Sequence, residues 1–322
     1  MLKHAVITPF LGQTKDRFSE YNEPQTLEQK FQTLRSIEGM TGAELVYPYE
    51  VNFDNLHEVK NLLEKYEISV ACINVNVKVE PEFRSGGLTS PEAEVRSRAV
   101  QFIKEAKDFA EEVGADKIQC CPLSDGYEFS FQANYSDTWQ RLVETFAEGG
   151  DYKPHIPIFI EYKPNEVRGR CFLNDAAKTI CLIKQIGNPN IGVTLDYGHS
   201  LYGGNNPAEE LALLDSQDIK YYIHINDNDG QWDWDYFCGS RSLMQYIEFI
   251  YYLKKFNYQG WLTSDTSPTR WDMVKMFEAN VRMTNKISAR IDEIGMNTFE
   301  ETLAKKEYMD VWADLEEFFI KI

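Results

Sequence analysis

Short apolar runs alternate with longer amphipathic segments along the whole chain. Apolar stretches of four to eight residues bounded by turn signals are typical of strands buried in a parallel sheet. Eight such runs lie near residues 4–8, 43–47, 69–74, 116–121, 156–161, 190–195, 220–225 and 260–264. The segments between them carry apolar residues at helical spacing and predict helices, for instance over 91–113, 173–186, 207–214 and 242–255.

Glycines precede every second apolar run and fit turns from helix to strand. Gly42, Gly114, Gly187 and Gly260 stand before the second, fourth, sixth and eighth runs, where a left-handed residue is favoured. Eight strand–helix units without a break in composition predict a TIM (β/α)8 barrel over residues 1–293. An open doubly wound sheet is the alternative, but the segment after the first run lacks its GxGxxG motif.

Residues 294–322 form a charged, aromatic-containing tail with helical character. We expect a C-terminal helical extension to the barrel. Such an extension either packs against another subunit or braces its own barrel.

Composition limits the partners of the chain. With 43% hydrophobic residues among 322, the chain can bury a large core. A net charge of −18 disfavours nucleic acid and anionic membranes as partners, and weighs somewhat against a phosphorylated substrate. The six cysteines lack CxxC spacing, and neither a signal-peptide pattern nor an apolar run of 18 residues is present. These features predict a cytoplasmic protein.

Four successive apolar runs end in an acid or an imidazole. Glu161, Asp196, His224 and Asp265 stand at the ends of the fifth to eighth runs. In a parallel barrel these ends meet at one rim, where the active sites of such barrels lie. A single acid there is commonly a helix cap, but four in succession predict a metal site. Three carboxylates and one imidazole suit Mn²⁺, Mg²⁺ or Co²⁺, with Zn²⁺ as a further candidate.

A second set of polar residues follows in the adjoining loops. His199 lies three residues after Asp196, and Asp233 and Asp235 alternate in the loop after the seventh run. In an extended loop, alternate acids face the same side, so both are candidates for a second ion bridged by Asp196. The other interpretation is a solvated acidic turn. Lys163, two residues after Glu161, is placed to stabilise negative charge on a substrate oxygen or to pair with a nearby acid.

The segments Glu161-Tyr-Lys163 to Gly169, Asp196-Tyr-Gly-His199 and Asp233-Trp-Asp235 resemble those of xylose isomerases and rhamnose isomerases. The resemblance is strong from about residue 156 to residue 270. It implies one or two divalent ions per subunit, and it implies that Lys163 polarises the carbonyl of the sugar. The first ion would be bound by Glu161, Asp196, His224 and Asp265, and the second by Asp196, His199, Asp233 and Asp235.

The N-terminal half departs from the xylose isomerase pattern. Those enzymes carry a histidine after the second strand that assists ring opening, and the segment Leu45–Glu50 has none. Tyr47, Asp125 and Tyr127 are candidate substrate contacts instead. A turn centred on Asp-Gly explains Asp125 nearly as well.

The resemblance implies aldose–ketose isomerisation by a metal-assisted 1,2-hydride shift on a small sugar, in a homo-oligomer (dimer or tetramer). The first alternative resembles the tagatose 3-epimerase group, in which Glu161 and Asp265 would be the catalytic acids that exchange protons with carbon. A metal-assisted lyase acting on a modified glycoside is a further alternative. An alternative that is not an enzyme is a non-catalytic sugar-binding or accessory protein with the same fold. Endonuclease IV shares the fold but needs a basic DNA-binding face.

Overall fold

Eight parallel strands close into a barrel in the structure, a computed structural model that describes residues 2–166 and 168–320. Each strand pairs with its neighbours in chain order, and the last pairs with the first. The strands are β1 (Lys3–Ile7), β2 (Met40–Tyr47), β3 (Ser69–Val75), β4 (Ile118–Cys120), β5 (Ile158–Glu161), β6 (Ile191–Asp196), β7 (Tyr221–Ile225) and β8 (Trp261–Ser264). The predicted TIM barrel is therefore confirmed.

Helices surround the barrel and are bounded by local signals in the sequence. They are α1 (Leu27–Ser36), α2 (Leu56–Lys65), α3 (Ala93–Val113), α4 (Tyr135–Asp151), α5 (Ala176–Ile186), α6 (Tyr197–Tyr202), α7 (Pro207–Ser216), α8 (Leu243–Lys255), α9 (Met273–Ile294), α10 (Met296–Leu303) and α11 (Tyr308–Phe319). Thr26 and Gln29 form a reciprocal capping box at the start of α1. None of these described helices is long and apolar enough to cross a membrane.

Two of the four predicted glycine turns are confirmed, and two are wrong. Gly114 and Gly187 end α3 and α5 with left-handed φ values of 74° and 72°. Gly42 instead lies inside β2, where a Cβ would come within 2.6 Å of the Trp261 ring. At Gly260 a Cβ would come within 2.3 Å of the Tyr258 hydroxyl. Close packing, and not backbone handedness, therefore explains these two glycines.

The C-terminal residues form helices α10 and α11, which pack on the outside of the barrel. Phe299 of α10 is 3% exposed and lies 5.0 Å, ring to ring, from Tyr251 of α8. Phe318 of α11 packs against Phe299, and its carbonyl accepts a 2.8 Å hydrogen bond from the Arg290 side chain of α9. Of the two roles expected for this segment, these contacts are those of a brace on its own barrel.

Candidate metal centre

The carboxyl ends of β5 to β8 bring four predicted ligands together. The parallel register sets Asp196 of β6 beside His224 of β7. Each member of the set Glu161, Asp196, His224 and Asp265 offers one ligand atom, and these atoms all lie within 4.8 Å of one another. The first three side chains are almost fully buried, and Asp265 is partly open to solvent. The barrel therefore builds the first predicted donor set from distant stretches of chain.

One ring nitrogen of His224 faces this set of acids without a hydrogen-bond partner. Nδ1 of His224 lies 3.4 Å from Glu161 Oε1 and 3.4 Å from Asp265 Oδ2. It is buried and is unpartnered among the described residues. The other ring nitrogen, Nε2, lies 3.0 Å from a carboxylate oxygen of Glu44. Since a carboxylate accepts, Nε2 carries a proton in either charge state of the ring, so the neutral ring offers the lone pair of Nδ1 to a cation.

Asp196 stands between the two donor sets and is held by amide groups. Its Oδ1 accepts a 2.8 Å hydrogen bond from the backbone N–H of His199, at the start of α6. The Asn226 side-chain amide donates to both carboxylate oxygens, at 3.1 and 2.9 Å. These bonds fix the plane of the carboxylate before any ion binds.

The second donor set consists of Asp196, His199 and Asp233, whose ligand atoms also lie within 4.8 Å of one another. His199 donates from Nδ1 to the Tyr162 carbonyl at 2.9 Å, so its Nε2 points at Asp233 Oδ2, 3.3 Å away. Asp233 Oδ1 is buried and has no hydrogen-bond partner among the described residues. In this set, too, an imidazole nitrogen and carboxylate oxygens lie close enough together to share one cation.

Lys163 lies next to the second donor set. Its ammonium is 2.8 Å from Asp233 Oδ2 and 2.5 Å from Glu166 Oε1, and the side chain is 11% exposed. The ion pair expected as its alternative role is therefore present. Burial opposes the charge, but Asp233 and Glu166 hold the pKa of Lys163 well above its usual range. The residue is a fixed cation at the edge of the site.

Asp235 lies near this group but outside it. The sequence argument assumed an extended loop, in which residues 233 and 235 face the same way. Asp235 instead has a left-handed φ of 50°, which breaks that alternation. Its carbonyl accepts a 3.0 Å hydrogen bond from the backbone N–H of Ser267, which ties the loop to the segment after β8. A metal-binding role for Asp235 stays a prediction.

The electrostatics of the centre are those of crowded buried acids. Burial above all raises the pKa of Asp196 to about 7, and Asp265 and Glu161 add to the effect. Burial also works against ionised Glu161, but the imidazoles of His224 and His199 lower its pKa to about 2. For His199, burial is outweighed by Asp196 and Asp233, which raise its pKa to about 9. The pKa values of the buried acids in this centre are therefore set by burial and by the neighbouring imidazoles and carboxylates.

This chemistry fits a divalent cation. Nδ1 of His224 and Oδ1 of Asp233 are buried polar atoms that have no hydrogen bond to any residue the structure describes. Such atoms are costly unless a ligand satisfies them. Carboxylate oxygens with one imidazole per set suit a hard or borderline ion of the Mn²⁺, Mg²⁺, Co²⁺ group. All six cysteines are free, and none belongs to either set.

Comparison with known proteins agrees with this architecture. Residues 31–287 match the family described as the xylose isomerase-like TIM barrel. The chain belongs to this family. A xylose isomerase of Thermus thermophilus is 25% identical over 209 residues, which cover 62% of this chain and 54% of that protein. The chain thus spans about half the length of the curated relatives that it matches.

Solved structures share the fold of this xylose isomerase-like barrel. An L-ribulose 3-epimerase has a TM-score of 0.72 at 16% identity, covering 95% of this chain and 99% of its own. A D-tagatose 3-epimerase-like protein has a TM-score of 0.69 at 20% identity, covering 91% of this chain and 100% of its own. At such identities the likeness concerns the architecture.

One predicted substrate contact of the xylose isomerase-like barrel lies away from the centre. Tyr47 is 3% exposed, and its hydroxyl donates a 3.0 Å hydrogen bond to Glu105 of α3. Its ring packs against Phe53 and Phe109. Substrate contact by Tyr47 stays a prediction, but its side chain points outward, between the barrel and the helices. The reason is the alternation of side chains along a strand, which the spacing alone did not orient.

The other two predicted contacts lie in the loop after β4. Asp125 is buried, and its Oδ1 accepts 2.6 Å hydrogen bonds from both the N–H and the hydroxyl of Thr89. Burial raises the pKa of Asp125 to about 6. These bonds make it an anchor for the loop after β3. Tyr127 lines a cleft of about 600 Å³ that Glu166 also lines. Substrate contact by either residue stays a prediction.

Two residues of the centre escaped the sequence analysis. Glu44 accepts from His224 inside the barrel, and Asn226 orients Asp196. Glu44 interrupts the apolar run Ala43–Val46, and Asn226 directly follows the run that carries His224. An acid inside a buried strand was the available signal, because such a group needs several hydrogen-bond donors.

Proposed function

We propose that the protein is a metal-dependent sugar isomerase that interconverts an aldose and a ketose by a 1,2-hydride shift. The observation that carries the proposal is the position of Lys163, with its ammonium 2.8 Å from Asp233 beside two adjoining donor sets. Proton transfer at a single metal has no use for a buried cation and a second donor set. The proposed substrate is a free sugar, and the proposed cofactor is one or two ions of Mn²⁺, Mg²⁺ or Co²⁺.

The residues of the chain would divide the work as follows. Glu161, Asp196, His224 and Asp265 would hold one ion, and Asp196, His199 and Asp233 the other, with Asp235 as a further candidate. When bound, divalent ions polarise a carbonyl and acidify a neighbouring hydroxyl. Lys163 would donate a hydrogen bond to the carbonyl oxygen and stabilise the negative charge that develops there.

The loop after β7 supports this arrangement because it is fastened at several points. The backbone N–H of Tyr236 donates to the Asp227 carbonyl at 2.8 Å. The Trp234 indole donates to Asp229 at 2.9 Å. A loop held in this way presents Asp233 to Lys163 and His199 in a fixed geometry, which limits the reorganisation required during reaction.

A panel of aldoses and ketoses, incubated with Mn²⁺-loaded protein and separated by chromatography, tests the activity. We expect Lys163→Met to lower turnover by roughly 10²–10³-fold, as the loss of one charge-stabilising donor commonly does. Lys104→Met, which removes a surface ion pair with Glu148, is the matched control and should leave turnover unchanged. Full turnover in Lys163→Met would refute the assignment.

Epimerisation by proton transfer is the second candidate. It is favoured by the placement of Glu161 and Asp265, each 3.4 Å from Nδ1 of His224 and offered by different strands of the rim. Two carboxylates could then exchange protons at carbon. Reaction in D₂O separates the mechanisms, since proton transfer incorporates solvent deuterium at carbon and a hydride shift does not.

The remaining features are proposed with the activity. We assign the catalytic unit to residues 1–293 and the bracing extension to residues 294–322. A cytoplasmic location accords with six free cysteines. Assembly as a dimer or tetramer stays a prediction that sedimentation of the purified protein would test.

A further inference from the structure

A buried polar layer lies inside the barrel next to the first donor set, and Glu44 is at its centre. Glu44 is fully buried on β2 and accepts four hydrogen bonds from three other strands. Asn74 and Gln119 donate side-chain N–H groups to Oε1, at 2.9 and 3.2 Å. Tyr222 and His224 donate to Oε2, at 2.7 and 3.0 Å.

The chemical nature of these partners sets the direction of the hydrogen bonds at Glu44. The two side-chain amides present N–H groups, and the phenol presents its O–H, so three of the four contacts supply a proton and use both oxygens of Glu44 as acceptors. The Tyr222 oxygen also contacts the Thr263 hydroxyl. Because the phenol has a single proton, Thr263 must donate to Tyr222. The network is therefore directional, and it ends at the carboxylate oxygens of Glu44, which accept.

This directionality determines which nitrogen of His224 faces the acids. An acceptor-only partner at Nε2 requires that Nε2 carry the proton. Nδ1 is then free to offer its lone pair, and it is the nitrogen 3.4 Å from Glu161 and from Asp265. A ligating histidine commonly donates its other N–H to a carboxylate, which fixes the ring and raises the basicity of the ligand.

We propose that Glu44 is a positioning residue that sets the affinity of the first metal site by holding His224 in the Nε2–H form. The inference rests on the proposed metal site and adds to it a residue that contacts neither ion nor sugar. Its substitution by glutamine would keep the volume, and as long as Asn74 and Gln119 keep donating to the side-chain oxygen it would place an amide N–H against His224. The imidazole would then accept at Nε2, carry its proton at Nδ1, and direct that proton at the site of the cation.

Metal titration of chelator-stripped protein tests the proposal without reference to turnover. We expect Glu44→Gln to weaken Mn²⁺ binding at the tighter site by 10–100-fold, the usual effect of losing such a partner. Glu50→Gln is the matched control, because Glu50 is another carboxylate near β2 and is paired with Lys30 at 2.6 Å. The affinity of the Glu50→Gln protein for Mn²⁺ should stay within about threefold of that of wild type.

Tyr222→Phe distinguishes positioning from a general structural role. It removes another donor from the same oxygen of Glu44 but keeps the bond to His224. We expect this variant to melt earlier and to keep its Mn²⁺ affinity. Equal loss of affinity in Tyr222→Phe and Glu44→Gln would overturn the proposal, as would unchanged affinity in Glu44→Gln.

A measurement on the wild-type protein covers the case in which Glu44→Gln does not fold. Nitrogen-15 imidazole spectra of the Zn²⁺-loaded protein should show His224 protonated at Nε2 only. A proton at Nδ1 would overturn the proposal. If the wild-type protein binds no divalent cation, both the proposed function and the proposed role of Glu44 fail. If wild type and Glu44→Gln bind Mn²⁺ equally well, only the role of Glu44 fails.

Discussion

Replacing Asp196 by asparagine should stabilise the metal-free protein and abolish its response to metal. Asp196 belongs to both donor sets, so the substitution removes a charge from each. Asn226 donates to both oxygens of Asp196, while its own Oδ1 atom is buried and has no partner in the part of the chain that the structure describes. A flip of the Asn226 amide would let this atom accept from Asn at position 196, so few hydrogen bonds are lost.

The magnitude follows from the pKa of Asp196, which burial raises from 3.8 to about 7. These values differ by about 3 pH units, and at ~1.4 kcal/mol per unit the ionised group costs the folded protein ~4 kcal/mol. A raised pKa means that the folded state holds the proton more tightly. This contribution to stability is therefore present below about pH 4 and is lost as the pH rises through about 7. At pH 8 the substitution should stabilise the chelated protein by ~2–4 kcal/mol, after ~1 kcal/mol for altered hydrogen bonds.

Urea unfolding at pH 8, with chelator and with excess Mn²⁺, measures both effects. At a hundredfold excess over the dissociation constant, Mn²⁺ should stabilise the wild type by ~2.7 kcal/mol and Asp196→Asn very little. Asp227→Asn is the control, because Asp227 is also buried but accepts from the backbone N–H groups of Arg241 and Ser242. The free energy of unfolding of Asp227→Asn should be ~1–3 kcal/mol below that of wild type, both with chelator and with Mn²⁺. If chelated Asp196→Asn is less stable than wild type, the picture of mutually repelling buried acids is wrong.

Three further predictions concern packing and pH. A Cβ at Gly198 would lie 2.3 Å from Asn226 Oδ1. Gly198→Ala should therefore lower the free energy of unfolding in urea by ~1–3 kcal/mol and weaken Mn²⁺ binding. Gly169→Ala is the control and should do neither, because the nearest atom to a Cβ there is 3.6 Å away. Phe299→Ala should cost ~3–5 kcal/mol if the extension braces the barrel, and a loss below ~1 kcal/mol would contradict that role. Burial lowers the pKa of Lys107 from 10.5 to about 8. Between these two pH values the unfolded chain binds more protons than the folded protein, so the stability of wild type should rise with pH relative to that of Lys107→Met. Urea unfolding at pH 8 and at pH 10 measures this difference.

The pattern of apolar runs predicted the barrel because its strands are buried on both faces. Runs of Val, Ile and Leu bounded by turns are then visible without any alignment. The convergence of the candidate ligands at the ends of β5 to β8 was predictable because a parallel barrel gathers its strand ends at one rim.

Orientation within a strand and the backbone of loops were harder to predict. Tyr47 and Glu44 stand on the same strand, yet one points to α3 and the other into the barrel. Which face is interior depends on the tilt of the strands, and the spacing of residues does not specify it. The left-handed φ of Asp235 depends on contacts with the segment after β8, which are remote in sequence.

The ligands of both donor sets come from one arc of the barrel, the ends of β5 to β7 together with the loops after β6, β7 and β8. The loops after β1 to β4 supply no member of either set. Exchange of those four loops would therefore reshape the entrance and leave both donor sets unchanged. A designer seeking a different ligand preference should diversify residues in that opposite half, and we expect such libraries to keep the geometry of both donor sets more often than libraries built on the arc itself.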